Sequence, residues 1–195
     1  ALSKSRASAA TLLSKSVTDE LKDLKMGDAR FSIELTCGST LESLQPMGAD
    51  QIQFVVQTNR GEAARPLGKI ASGGELSRIS LALQTASSEV AAVPTLIFDE
   101  VDAGIGGGVA EIVGRMLKQL GKKHQVMCVT HLPQVAASAD QQWQVSKASA
   151  GGKVISRVVP LDRNGRVEEI ARMLGGVKIT ETTRKHAAEM LGIKI

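Results

Sequence analysis

The sequence predicts an α/β fold with a mainly parallel central sheet, flanking helices and antiparallel strands at the edges. Two short apolar runs, Thr95–Phe98 and Gln125–Thr130, are typical of buried central strands, and a helical pattern separates them. Phe31–Cys37 alternates apolar and polar residues, and Gln51–Gln57 predicts an antiparallel partner strand. A chain of 195 residues is long enough for one substantial domain and its core.

The composition excludes several classes of protein. Hydrophobic residues make up 43% of the chain and charged residues 23%, as in ordinary globular proteins. Two cysteines, Cys37 and Cys128, are too few for a disulfide framework and lack metal-ligand spacing, which favours a reducing, intracellular setting. The first twenty residues show no signal-peptide pattern, and the apolar stretch Val90–Phe98 is too short to cross a bilayer. A net charge of +4 permits contact with a polyanion.

The first segment, Leu2 to about Met26, has a helical pattern with one apolar stripe, which contains Leu13, Val17, Leu21 and Leu24. Such a stripe predicts either the end of a coiled coil or an amphipathic helix packed on its own domain, and these few heptads do not separate the two.

A second helical pattern opens at Ser72 and Gly73-Gly74, after a polar connection, and its apolar residues continue at three- and four-residue steps to Val90. Ser72 is a natural N-cap, and Glu75 stands at capping-box distance from it. Adjacent glycines before a helix allow a phosphate to approach free backbone N–H groups. A capped helix alone explains Ser72 and Glu75 but not the two glycines.

The strand Thr95–Phe98 ends in the acids Asp99 and Glu100, and Asp102 follows Val101. In nucleotide hydrolysis, one acid at a strand end supports Mg²⁺ and its neighbour orients the attacking water. The alternative is a strand that becomes polar where it meets solvent.

The remaining segments complete the predicted fold. His131 stands just past the carboxyl end of a strand, where ligands bind in open α/β sheets.

The glycines of 104–108 do not match a dinucleotide-binding fingerprint, because Val109 occupies the position that needs Gly or Ala. Further predicted elements are a helix at 109–120, a hairpin of strands at 140–148 and 153–161 joined through 149–152, and helices at 166–174, ended by Gly175-Gly176, and 180–191.

Three segments together resemble the signature motif, Walker B strand with D-loop, and H-loop of ABC-type ATPases, in order and spacing. They are Lys69–Arg78, Thr95–Ile105 and Val129–Val135. More narrowly, nearly the whole chain is similar to the C-terminal half of the head domain of SMC-related DNA repair ATPases. The chain has no G-x-x-x-x-G-K-[ST] phosphate loop, which in the SMC family belongs to the N-terminal half of the head.

The resemblance implies a role for each matched residue. Asp99 would support Mg²⁺ through water, Glu100 would act on the hydrolytic water, and His131 would contact the γ-phosphate of ATP. The remaining nucleotide-binding residues would serve the ATP held by an opposing head or lie in the interface between heads, and they are Ser72, Gly73, Gly74, Glu75 and Asp102.

The resemblance also implies a domain layout, partners and a process. Residues 1–27 would end a coiled coil, and 28–195 would form the C-terminal lobe of the head. Partners would be the P-loop half, without which the chain is expected to be inactive, a second head, and DNA in double-strand break repair and recombination. The expected location is cytoplasmic and nucleoid-associated. Alternatives are the tail of a transporter nucleotide-binding domain or a non-hydrolysing DNA-binding scaffold.

Overall fold

A computed structural model of the chain describes residues 1–38, 40–90, 93–150, 153–175 and 179–193. The helices in these residues are α1 (Leu2–Asp23), α2 (Gly73–Ser87), α3 (Gly107–Leu120), α4 (Pro133–Ser138), α5 (Arg163–Gly175) and α6 (Glu181–Met190). The strands are β1 (Arg30–Cys37), β2 (Asp50–Gln57), β3 (Arg65–Pro66), β4 (Thr95–Phe98), β5 (Gln125–Cys128), β6 (Trp143–Ala150) and β7 (Lys153–Pro160). No helix among these is both long and apolar enough to span a membrane.

The strands form three small sheets. β1, β2 and β3 pair antiparallel in that order, β4 pairs with β5 in parallel, and β6 and β7 form an antiparallel hairpin. The predicted mixed α/β class, with a parallel sheet, antiparallel strands and helices, is confirmed. The parallel sheet is smaller than expected, with two strands in the described part of the chain.

The prediction that β4 is buried on both faces is wrong for this chain. Leu96 and Phe98 face the core, but the side chain of Ile97 on the other face is 71% exposed. Met127 and Val129 are also exposed. The reason is that α3 lies beside the sheet, whereas no described element covers its second face.

The main core lies between α1, β1, α2, the parallel sheet and α3. Val17, Leu21 and Leu24 of the predicted stripe are fully buried in it, and Leu13 packs against it. The C-terminal half of α1 therefore packs on its own domain. A second core joins α4, α5 and α6 through small residues and Ile170.

Element boundaries differ from the predictions at several places. α2 ends at Ser87, so the predicted helical position Val90 lies beyond it, and β5 ends two residues before Thr130. Helix α4 was not predicted, because six residues are too few for a periodic signal. Gly151 and Gly152 of the predicted hairpin turn and Gly176 of the predicted helix end lie outside the described residues.

Candidate nucleotide site

The carboxyl end of β4 presents two exposed acids. The N–H of Glu100 donates to Oδ1 of Asp99 at 2.9 Å, and Glu100 adopts a left-handed backbone conformation with φ of 56°. The carbonyl of Glu100 accepts from the N–H of Ala103 at 3.0 Å, which closes the turn after the strand.

The glycine pair at the start of α2 lies against this turn within the same chain. A Cβ added to Gly73 would lie 2.6 Å from Oε2 of Glu100, and one added to Gly74 would lie 3.0 Å from Cβ of Ala103. Ser72 caps the helix by accepting from the N–H of Glu75 at 3.3 Å. Close packing inside the chain therefore also explains why glycine occupies both positions, in addition to the predicted approach of a phosphate.

Two residues without a predicted role join the helix to the acidic turn. The hydroxyl of Ser77 donates to the carbonyl of Asp99 at 2.6 Å, and Nη1 of Arg78 donates to the carbonyl of Ala103 at 2.8 Å. Burial lowers the pKa of Arg78 from its usual range, although Glu75 opposes the shift. Ser77 and Arg78 lie one helical turn beyond the glycine pair, so helical spacing from the motif is the signal that could have identified them.

His131 and Asp102 meet at the carboxyl end of the parallel sheet. Oδ2 of Asp102 accepts the N–H of His131 at 3.1 Å and the hydroxyl of Thr130, and it lies 3.3 Å from Nδ1 of His131. The imidazole is 71% exposed, whereas Asp102 is 2% exposed. Asp102 therefore faces the interior of this chain. Its predicted role at the nucleotide site and in the interface between heads stays a prediction.

Negative charge concentrates at this edge. Burial, together with the carboxylates of Asp102 and Asp99, raises the pKa of the Cys128 thiol to about 12. A thiol in this state is protonated and is not a nucleophile at neutral pH. Within the described residues, neither Asp99 nor Glu100 forms an ion pair with a basic side chain.

The exposed acids fit one part of a nucleotide–metal complex. Carboxylate oxygens suit Mg²⁺, which usually takes only one or two protein carboxylates and fills its other positions with water and phosphate. The described part of the chain contains no cluster of three or more His, Cys, Asp or Glu side chains that would hold a metal alone. Asp99 and Glu100 therefore fit a hydrated Mg²⁺ with phosphate, and they do not fit a metal site built only from protein.

The observed fold is of the mixed α/β class with a parallel sheet. Residues 6–153 match the family model described as "RecF/RecN/SMC N terminal domain". The match covers more than half of the chain, so the chain belongs to this family. The matched model describes the RecF/RecN/SMC family, and the alternative of a transporter nucleotide-binding domain would require membership of a different family.

Curated relatives carry the name "DNA repair protein RecN". The protein from Haemophilus influenzae is 47% identical over 193 residues, and one from Xylella fastidiosa is 48% identical over 190 residues. These matches cover 99% and 97% of this chain but 34% of each relative, so the chain spans about a third of their length.

Solved SMC head domains share the fold. The head domain with coiled coil and joint from Pyrococcus yayanosii gives a TM-score of 0.57 at 21% identity, covering 82% of this chain and 28% of that one. A second structure, described as "Structural biochemistry of ATP-driven dimerization and DNA stimulated activation of SMC ATPases", gives 0.52 at 17% identity, covering 90% of this chain and 99% of that one. These likenesses support the fold alone.

Proposed function

We propose that this chain is the C-terminal part of an SMC-type ATPase head that acts in DNA double-strand break repair. In this proposal a half carrying the P-loop completes the head, and two completed heads bind and hydrolyse ATP between them. The single observation that carries it is the meeting of Ser72–Glu75, Asp99–Asp102 and His131 at one edge of the fold. The names of the RecN relatives support the repair process.

Each residue has a defined task in the proposed reaction. Glu100 accepts a hydrogen bond from the attacking water and orients it, while Asp99 holds the water shell of the metal. Mg²⁺, when bound, neutralises charge on the phosphates. His131 contacts the γ-phosphate, and Ser72 with the glycine pair offers backbone N–H groups and a hydroxyl to the same group.

The uncovered face of the parallel sheet supports the need for a completing half. Parallel sheets are normally covered on both faces, and here Ile97, Met127 and Val129 remain exposed. We propose that the P-loop half covers this face, that residues 1–27 lead from a coiled coil, and that 28–195 form the lobe.

The contact between Gly73 and Glu100 leaves two arrangements to distinguish. Contacts across a two-fold axis occur twice, so one edge can supply its glycines to one site and its acids to the other. The same closeness also permits a site in which both groups come from a single chain.

A mixture of two variants with impaired hydrolysis separates these arrangements. In the completed head, we expect Glu100→Gln to slow hydrolysis by about 100-fold, and Ser72→Ala by about tenfold or more, because each removes a group that acts on the reacting phosphate or water. If the sites form between heads, mixed dimers contain one intact site, and the mixture recovers about a quarter of the wild-type ATPase rate.

A rate for the mixture equal to the mean of the two variants would place both groups in a single chain. Undiminished turnover by Glu100→Gln alone would remove Glu100 from its role. The matched control is the ATPase rate of each variant alone, measured at the total protein concentration of the mixture.

A further inference from the structure

The carboxylate of Asp102 is fixed inside the chain. Thr130 accepts the N–H of Leu132 at 3.0 Å through its hydroxyl oxygen, which leaves the hydroxyl proton free to donate to Asp102. The backbone N–H of His131 donates to the same carboxylate oxygen. Two donors from the segment after β5 therefore set the position of Oδ2 before any ligand arrives.

The ring of His131 lies beside a carboxylate on its Nδ1 side. Among the described residues, Asp102 is its charged neighbour, with Nδ1 at 3.3 Å from Oδ2, and most of the ring is exposed. A carboxylate accepts hydrogen bonds and donates none when it is ionised, so the ring nitrogen that faces it is the one suited to carry a proton. The second nitrogen, Nε2, lies on the other side of the ring.

We infer that Asp102 is a positioning residue that fixes the tautomer and direction of His131. It keeps the proton on Nδ1 and turns Nε2 away from the chain, toward the place where a phosphate would lie. This inference rests on the proposed function for the role of His131 toward phosphate. It gives Asp102 a task within its own chain, beside its predicted place in the interface between heads.

The assigned tautomer has a chemical consequence. With the proton on Nδ1, a neutral ring offers only a lone pair at Nε2, which cannot donate to a phosphate oxygen. Donation from Nε2 requires the doubly protonated ring, whose positive charge then faces the Asp102 carboxylate. Asp102 thus lies on the Nδ1 side of the ring, where it orients the ring.

Nitrogen NMR of this chain tests the inference without nucleotide. With ¹⁵N-labelled histidine at a pH where the rings are neutral, long-range proton–nitrogen correlations report which ring nitrogen carries the proton. His131→Ala identifies the signals among the three histidines. We expect Nδ1 to be the protonated nitrogen of His131 in the wild type, and the proton to move to Nε2 or to exchange between both nitrogens in Asp102→Ala.

Thr130→Val is the matched control, because it removes a hydroxyl donor to Asp102 but leaves the carboxylate beside the ring. It should keep the wild-type tautomer. A wild-type His131 protonated at Nε2 overturns the inference even if Asp102→Ala does not fold. An unchanged tautomer in folded Asp102→Ala, or the same change in Thr130→Val, also overturns it.

The outcome is independent of the ATPase measurements. Suppose that the mixed variants recover no ATPase activity but NMR shows the expected tautomer. The proposed site between heads is then removed, and the role of Asp102 toward His131 remains. The reverse result would keep the proposed function and remove Asp102 as the residue that orients the ring.

Discussion

Glu100 combines an unusual backbone conformation with an exposed carboxylate. Its φ of 56° lies in the left-handed region that side-chain-bearing residues adopt rarely and at some cost in free energy. The conformation follows from the turn that carries the chain from β4 to the carbonyl–amide contact with Ala103. It places the carboxylate over Gly73, where any larger residue would meet it.

The two glycines before α2 should respond differently to the same substitution. In Gly74→Ala the new methyl group meets the Cβ of half-buried Ala103 at 3.0 Å and its carbonyl at 3.3 Å, and we expect a loss of about 1–3 kcal/mol. In Gly73→Ala the methyl group meets only the end of the flexible Glu100 side chain, and we expect a change within about 0.5 kcal/mol.

Urea denaturation of both variants measures the difference. The control is the pair of substitutions in a Glu100→Ala background, which removes the obstacle at residue 73 only. Equal destabilisation by Gly73→Ala and Gly74→Ala would show that the Glu100 carboxylate is not free to move.

At the scale of elements, α5 is joined to β6 by a buried acid. Glu169 accepts from Nε and Nη2 of Arg172 at 2.8 and 2.7 Å and from Nε2 of Gln144 at 2.6 Å. The hydrogen bond from Arg172 lowers the pKa of Glu169, against the effect of burial, and Gln144 adds to the shift. The network connects the second core to the hairpin, whose strands are otherwise largely exposed.

Glu169→Gln should change how stability depends on acid. A carboxyl group with a lowered pKa in the folded state contributes stability above its unfolded pKa, and this contribution is lost as pH falls through the folded value. We therefore expect the variant to be less stable than the wild type at pH 7, with the difference shrinking below about pH 4.

Thermal unfolding between pH 3 and 7 checks this expectation. Glu168→Gln is the matched control. Glu168 is the residue next to Glu169, and it pairs with Arg184 on the exposed side of α5, so this ion pair should contribute little to stability. A difference at pH 7 that stays constant into acid would assign the effect of Glu169→Gln to packing instead of charge.

At the scale of the whole molecule, the parallel sheet is the part of the fold that leaves apolar side chains and strand edges uncovered. Its second face exposes apolar side chains next to the acidic edge, and the two strands leave their outer edges without a described partner strand. A surface of this kind is unfavourable in water and favours association.

Ile97→Lys should lower self-association of the isolated chain and weaken its assembly with the P-loop half. The reason is that the charge improves solvation of the open face but has no partner once the face is covered. Light scattering measures the first effect, and co-purification with the P-loop half measures the second. Met47→Lys, at a side chain that is 77% exposed in the loop before β2, should change neither.

If Ile97→Lys assembles as well as the wild type, the open face is not where the other half binds. If Met47→Lys has the same effects as Ile97→Lys, added charge alone explains them.

The residues of the candidate site were predictable because their motifs are local. The glycines with Ser72, the acids after β4 and His131 after β5 each stand at an element end, and element ends are visible in short patterns. The structure brings them to one edge of the same chain, which was not predicted, and their roles stay predictions. Sequence reasoning missed Ser77, Arg78 and Thr130, whose importance depends on contacts with distant backbone and side-chain atoms.

The sequence by itself determined the α/β class, the order of most elements and the resemblance carried by three motifs, since periodicity and end signals are properties of neighbouring residues. Only the tertiary structure decided that Asp102 faces inward, that Glu100 rests on Gly73, and that one face of the parallel sheet is open. Those features depend on which segments meet in space, and burial of a side chain is set by that packing and not by its neighbours along the chain.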